Sequence, residues 1–373
     1  MNKIVFVHPL IRTYRAPLFK LLGENGVDFF FTSHPNNEIV KKEVEDILTD
    51  FPYKYINSRE VKWLPVEGFS FDLLKLFKYK KIIFSISTSV PFLLMAPLLK
   101  LFGKKIYLFE ETWRYPLCRK LHYMMRPWIQ FIVPKVVDGM ILTGKKAQEF
   151  VNSEYNYPIE KTKIATNTTV DLMTETWPET AKHSELIRSK QDVVKILYLG
   201  RVVKYKGLDL LLEAMTGLEN SELFVIGDGP YLEKCKSLAS GLDINSKVHF
   251  LGSCTVEERK SYFRDADIFV LPSRFDEEDS VSYESWGFTV NEAMAMEKVV
   301  VTTTAVGSAF DLIDNDVSGY QVEQGDWQAL LEILKELEKS PHKIKQMGRV
   351  ARQELLKRTN YQQNLNVIME LVK

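Results

Sequence analysis

Val193-Val194-Lys195-Ile196-Leu197-Tyr198-Leu199-Gly200-Arg201-Val202-Val203-Lys204-Tyr205-Lys206-Gly207-Leu208-Asp209 opens with a β-branched apolar run, closes it with glycine and adds cations around a turn. A short apolar strand that runs into a Gly-bearing loop and then into a helical pattern is the start of a βαβ unit. Just before it, residues 175–192 are polar, and after it come candidate strands at residues 222–226, 247–251, 268–271 and 299–303. A second α/β domain therefore begins at residue 193. Upstream, residues 3–7, 28–32, 81–85, 104–109, 139–142 and 163–165 form an equivalent series separated by longer amphipathic segments. This alternation predicts doubly wound parallel sheets. No solenoid period or low-complexity tract competes with it. The expected architecture is α/β: two Rossmann-like domains facing each other across a cleft, spanning residues 1–174 and 193–345 with residues 175–192 as linker.

Composition bounds the class. With 373 residues, 45% of them hydrophobic and 26% charged, the chain is an ordinary globular one of two-domain length. Cys118, Cys235 and Cys254 lie far apart without CxxC spacing, which argues against a disulfide framework or a structural zinc site and for a reducing compartment. The run of residues 3–7 is too short for the apolar core of an export signal. The longest apolar stretch, residues 90–99, contains two prolines and stops at Lys100, well short of the roughly 20 residues of a spanning helix. A cytoplasmic protein is expected, peripheral on the inner face of the cell membrane if it meets the bilayer at all. Net charge is zero but unevenly divided: residues 1–170 hold 25 Lys and Arg against 16 Asp and Glu, and the remainder holds 24 against 33. Two domains with different partners account for this.

Chemistry is expected where the strands end, because ligands of doubly wound folds bind at the carboxyl ends of strands. Arg201 and Lys206 follow the first strand of the second domain. Arg offers a planar fork for phosphate oxygens and Lys a compact charge, so the pair suits a diphosphate. Farther on, Tyr283-Glu284-Ser285-Trp286-Gly287-Phe288-Thr289-Val290-Asn291-Glu292-Ala293-Met294-Ala295 is a turn that opens into a helix. Gly287 lets the backbone approach a ligand, the helix start (expected at Asn291) offers N–H groups to phosphate, and Glu284 and Glu292 can accept hydroxyls. That layout fits a sugar nucleotide. Carboxylates near a helix start also occur simply as charge complementation.

Taken in order, Gly200-Arg201, Lys206-Gly207, Gly227-Asp228-Gly229-Pro230, Phe250-Leu251-Gly252, Asp265-Ala266-Asp267, Leu271-Pro272-Ser273, the Glu284 to Glu292 pair and Gly319 resemble family 4 of the retaining glycosyltransferases, the glycosyl transferases group 1, which have the GT-B fold. The resemblance covers residues 193–340. Weaker likeness comes from Tyr14-Arg15-Ala16-Pro17-Leu18-Phe19 and Asn167-Thr168-Thr169-Val170-Asp171. It implies that Arg201 and Lys206 bind the donor diphosphate and assist catalysis, that Glu284 holds hydroxyls of the transferred sugar, and that Glu292 accepts from the ribose. It further implies that Trp286, Gly287, Phe288 and Thr289 lie beside the sugar and the distal phosphate. Such enzymes need no metal or cofactor, keep the anomeric configuration and take a nucleoside diphosphate sugar as donor. Their last helix, here residues 346–373, returns to the first domain. Two features depart from the family: His8-Pro9-Leu10-Ile11-Arg12-Thr13 replaces a common Gly-Gly loop, and Asp276-Glu277-Glu278-Asp279 lengthens the interval before Glu284. The acidic run reads most simply as a solvated loop.

In the first domain, Glu110 and Glu111 follow a strand and could orient the acceptor or relay its proton, or merely organise the loop. Residues 117–131 mix cations with Met and aromatics, and Lys75, Lys78, Lys80, Lys81, Lys100, Lys104 and Lys105 add charge. A glycan or lipid-linked acceptor and an anionic membrane surface are the expected partners. No nucleic-acid recognition motif accompanies the dispersed lysines. Alternatives to a transferase in cell-envelope polysaccharide or glycoconjugate assembly are a GT-B sugar-nucleotide epimerase and a non-catalytic sugar-nucleotide binding protein. A dinucleotide oxidoreductase is disfavoured, because no Gly-x-Gly-x-x-Gly follows either first strand.

Overall fold

The computed structural model describes residues 4–32, 53–55, 71–114, 120–174, 187, 193–255, 258–276 and 283–373, with backbone alone at 13, 53–55, 90 and 120–124. The acidic positions 277–279, Cys118 and all of the linker 175–192 except residue 187 lie outside the described residues. The chain forms two compact units. Unit 1 holds the described residues up to Thr168 together with Thr359–Lys373, and unit 2 holds Thr169–Arg358.

Unit 1 is built on a parallel sheet of β1 (Ile4–His8), β2 (Val27–Phe31), β3 (Tyr53–Tyr55), β4 (Lys81–Ser85), β5 (Lys105–Glu110), β6 (Gly139–Leu142) and β7 (Thr162–Ile164). Their order is β3-β2-β1-β4-β5-β6-β7, with Val5 opposite both Asp28 and Ile82. The strands are buried almost throughout because both faces of the sheet are covered. The chain's last helix (Tyr361–Val372) and α1 (Ala16–Glu24) cover one face, burying Phe19, Leu22, Leu365 and Ile368 against Phe6, Phe29 and Ile141. On the other face lie a 3-10 helix (Phe71–Lys78), α2 (Val90–Leu101), α3 (Lys120–Val136) and α4 (Lys145–Tyr155). Leu76, Phe92, Leu99, Ile129, Val133 and Phe150 there pack on Val5, Ile82, Phe84 and Leu108.

Unit 2 repeats the plan with β8 (Val194–Leu199), β9 (Ser221–Ile226), β10 (Val248–Gly252), β11 (Ile268–Leu271), β12 (Val299–Thr303) and β13 (Tyr320–Val322), in the order β10-β9-β8-β11-β12-β13. Its helices are α5 (Leu208–Met215), α6 (Leu232–Gly241), α7 (Arg259–Asp265), α8 (Phe288–Ala295), α9 (Ala309–Leu312), α10 (Trp327–Glu338) and α11 (Pro341–Arg358). Strand order reverses at β8, so the ends of β8 and β11 flank the topological switch point where doubly wound folds open a crevice. Asp326 caps α10 by accepting from the Ala329 amide at 2.9 Å, and Asn360 caps the final helix, α12, through Gln362 and Gln363.

Some expectations are corrected. The last helix, expected over residues 346–373, spans only Tyr361–Val372, because residues 327–373 form three helices, interrupted at Ser340-Pro341 and at Asn360. The leucine spacing sets Leu331, Leu334 and Leu337 on one face, whereas the buried stripe of α10 is Leu330, Leu334 and Leu337, following the 3.6-residue period, and Leu331 is half-buried at its margin. Helix α8 starts at Phe288, three residues before the expected position, because Gly287 adopts the left-handed conformation (φ 88°) that turns the chain into it.

Candidate functional site

Two strand ends of unit 2 hold the Arg201–Lys206 loop from both sides. The Val202 amide donates to the Asp228 carbonyl at 2.9 Å, and the Tyr231 amide returns to the Val202 carbonyl at 3.1 Å. On the other flank, the Arg274 amide donates to the Tyr205 carbonyl at 2.8 Å. Glycine is required where these backbones meet: at Gly227 (φ 154°) a Cβ would strike the Gly200 carbonyl, and at Gly207 (φ 71°) it would strike the Pro272 carbonyl. Gly227-Asp228-Gly229 and Leu271-Pro272-Ser273, singled out in the sequence, are thus the supports of the cationic loop.

Lys206 is largely enclosed, its side chain 13% exposed, and forms an ion pair with Glu284. Burial, reinforced by the charge of Arg201, lowers the Lys206 ammonium to about 8. Arg201 itself is exposed, and its carbonyl accepts from the Tyr198 hydroxyl at 2.9 Å. Glu284 is fixed by its backbone: its amide donates to the Ala305 carbonyl at 3.1 Å, and its own carbonyl accepts from Gly307 at 3.0 Å. Sequence spacing did not reveal the pairing of Lys206 with Glu284, 78 positions apart.

Glu292 lies on the buried side of α8, in its second turn. Arg259 of α7 donates from Nη1 to Glu292 Oε1 at 2.8 Å, while Glu292 Oε2 is buried with no partner among the described residues. Burial pushes the Glu292 carboxyl up, and the Arg259 guanidinium pulls it back. An acceptor atom left open beside a fixed charge is poised to take a hydroxyl from a ligand. Trp286 is buried and donates from Nε1 to Asn291 Oδ1 at 2.9 Å, so its indole is a structural part of the turn. Gly287 packs against Val306, Leu271 and Glu284, leaving no room for a side chain, and Phe288 and Thr289 open α8. The candidate residues Arg201, Lys206, Glu284, Trp286, Gly287, Phe288, Thr289 and Glu292 therefore all lie on segments following β8 or between β11 and β12.

The first-domain candidates lie at and just after the end of β5, beside the end of β4 in the other sheet. Glu110 is fully buried, and its carboxylate accepts from the amides of Ser87 (2.9 Å), Glu111 (3.1 Å) and Thr112 (3.0 Å). It organises two strand-end loops, one of which holds Ile86 at φ 65°, an unfavourable conformation for a β-branched residue. Glu111 pairs with buried Arg15, whose Nη1 donates to His8 Nε2 at 3.1 Å and whose guanidinium lies 4.9 Å from the Phe109 ring centroid. Burial, with Arg15 beside it, lowers His8 well below the ordinary histidine value, so the ring stays neutral. Residues 115–119 and the side chains of 120–124, part of the aromatic-basic stretch, lie outside the described residues.

Comparison with known proteins supplies the family context. Residues 179–354 match the family model described as glycosyl transferases group 1. An uncharacterised glycosyltransferase of Methanocaldococcus jannaschii is 29% identical over 192 residues, covering 49% of this chain and 46% of the relative. A GDP-mannose-dependent alpha-(1-6)-phosphatidylinositol monomannoside mannosyltransferase of Mycolicibacterium smegmatis is 29% identical over 157 residues, covering 41% of each chain. The chain thus spans less than half the length of these relatives. Among solved structures, Anabaena HepE in complex with UDP superposes with a TM-score of 0.79 at 15% identity, over 99% of this chain and 98% of that one. The chain has the GT-B fold, with a glycosyl transferases group 1 domain over residues 179–354.

Proposed function

We propose that this protein is a retaining, metal-independent glycosyltransferase of family 4 that moves a sugar from a nucleoside diphosphate sugar to a glycan or lipid-linked acceptor in cell-envelope polysaccharide or glycoconjugate assembly. The observation that carries the reading is the grouping of two cations and two carboxylates at the switch point of unit 2, with Glu292 Oε2 buried and unpartnered among the described residues. Arg201 and Lys206 take the donor diphosphate and stabilise the charge that develops on it as the anomeric bond breaks, the role a metal ion fills elsewhere. Glu292 accepts from the ribose. Glu284, released from Lys206 as the diphosphate competes for the ammonium, holds hydroxyls of the transferred sugar. Glu111 or Glu110 then assists the acceptor, Glu111 being the one whose carboxylate is not committed to several backbone amides. The lipid-directed name of the mycobacterial relative and the UDP bound by HepE motivate the first acceptors and donors to try. Membrane-peripheral action on the cytoplasmic face is part of this proposal.

The test is a thermal-shift panel of nucleoside diphosphates and their sugars, starting with UDP and GDP, on the wild type, Arg201→Ala and Glu292→Ala. Stabilisation by one nucleotide that both substitutions abolish supports the donor site, and anomer-resolved NMR of the product then decides retention. A panel that shifts nothing, or shifts the variants as much as the wild type, rules the site out.

A further inference from the structure

Large apolar side chains exposed to solvent are concentrated on one layer of unit 1. In α2, Leu94, Leu98 and Leu101 form an i, i+4, i+7 stripe opposite the buried Phe92, Met95, Ala96 and Leu99, and Leu101 is 84% exposed. In α3, Trp128 (56% exposed) and Phe131 stack with centroids 6.1 Å apart, opposite the buried Ile129, Ile132, Val133 and Val136. In the 3-10 helix, Phe71 (81% exposed) and Leu74 share a face, since i and i+3 eclipse in that geometry. All three elements bury their other side against the same face of the sheet, and α2 packs on both of the others. Their outward stripes therefore look to the same side. The fourth element of the layer, α4, serves as an internal comparison: its outward residues include Lys145, Glu149, Asn152 and Ser153, all polar.

Charge accompanies the apolar stripes. Residues 71–105 contain seven lysines and one acidic residue, with Lys75 paired to Asp72 and Lys100 and Lys105 to Asp138, and residues 120–136 contain Lys120, Lys135 and Arg126, the last paired to Glu154, with no acidic residue. Lys135 Nζ lies 3.3 Å from the Phe131 ring centroid, joining the two kinds of group. Cations flanking leucine, tryptophan and phenylalanine suit the boundary of an anionic bilayer, where acyl chains take the apolar groups and headgroups the lysines. No helix among the described residues is long and apolar enough to cross a membrane, so contact would be in the plane of the surface. We propose that this outer face, formed by the 3-10 helix 71–78, α2 and α3, docks unit 1 on an anionic lipid bilayer. The proposal deepens the membrane part of the functional reading and does not depend on its donor chemistry.

Flotation of the full chain with phosphatidylglycerol–phosphatidylcholine vesicles, and with phosphatidylcholine alone, at roughly 20 mM and about 500 mM salt tests it. Expected results are binding to the anionic vesicles only, weakened by salt, and a drop of roughly tenfold or more in partitioning for the Phe71→Ser, Leu101→Ser, Trp128→Ser triple variant. Lys75→Glu with Lys78→Glu, which leaves the apolar groups in place, should weaken binding comparably and carries the test alone if the triple variant misfolds. Retention of the nucleotide-induced thermal shift in both variants separates loss of docking from loss of the donor site. Absence of wild-type binding to anionic vesicles, or equal binding by both variants, overturns the proposal. So does light scattering that finds a wild-type dimer which the triple variant dissolves, since the face would then belong to a second copy of the chain.

Discussion

Lys206 brings burial, charge and ligand chemistry together at one atom. Its ammonium is held near 8 by desolvation and by Arg201, so near neutral pH it is still protonated and paired with Glu284. A diphosphate arriving beside it favours the protonated form and raises its pKa. Nucleotide affinity should therefore be level below about pH 8 and fall above it, approaching tenfold per pH unit until the pKa of the complex is passed. Isothermal titration of UDP from pH 6.5 to 9.5 checks the sign, and Lys206→Met should bind weakly without that slope. An affinity that rises through this window would contradict the assignment. Glu292 makes a second case. Arg259→Met removes the partner of a buried carboxylate whose pKa burial already raises, so the acid should become protonated and lose its preference for ribose hydroxyls. Discrimination between UDP and its 2′- and 3′-deoxy analogues should shrink by roughly tenfold or more, the value of a hydrogen bond to a charged group. The Glu284 and Glu292 positions were legible because a glycine turn and a helix start set them out along the chain. Arg259, 33 positions upstream of its partner, was not, because only the packing of α7 beside α8 brings it there.

Loops rather than side chains govern the next scale. The turn between β8 and α5 can place Lys206 only while Gly207 sits against the Pro272 carbonyl at φ 71°. Gly207→Ala adds about 1 kcal/mol of left-handed strain, and its methyl meets backbone that has nowhere to move. The loop should shift, with at least a tenfold loss of nucleotide affinity and a lowered melting temperature. Gly241→Ala is the control: at the end of α6 nothing lies within 4 Å of the new methyl, and the change should be neutral or stabilising. Equal behaviour of the two variants would refute the close-approach explanation. Element boundaries were readable to within about a residue wherever a strand is central: residues 81–85, 139–142, 268–271 and 299–303 coincide with β4, β6, β11 and β12. These strands carry apolar runs of three or four residues because helices cover both faces, and that continuous run is the signal. Of the three-residue edge strands, only Thr162–Ile164 is matched by the sequence reading, at residues 163–165; Tyr53–Tyr55 and Tyr320–Val322 are too short to display a period and alternate apolar with polar residues at their centres.

At the level of the whole chain, the described residues pass between units at Thr168–Thr169 and again at Arg358–Thr359, so the last helix belongs to the fold of the first unit. Leu365, Ile368 and Val372 of α12 are buried in the core that also contains Phe19 and Ile141. Tyr361 donates to the Tyr14 carbonyl at 2.9 Å, and Asn364 donates to the Thr166 carbonyl at 2.7 Å. At about 1.5–3 kcal/mol per fully buried aliphatic side chain, removing three of them forfeits roughly 5–9 kcal/mol, about the entire net stability of a domain this size. A chain ended after Arg358 keeps α11, whose Ala351 and Leu355 pack in the core of unit 2. It should therefore keep the nucleotide-induced stabilisation of unit 2 while unit 1 unravels. Hydrogen exchange read separately over β1–β7 and β8–β13, with and without UDP, distinguishes the two. Rapid exchange confined to β1–β7 is expected, and full protection there would mean that α1 and the sheet hold without α12. Loss of protection in both sets would instead mean that unit 2 depends on a folded unit 1. The C-terminal 15 residues, distant in sequence from every donor-site candidate, would then be as necessary to donor binding as Arg201 itself.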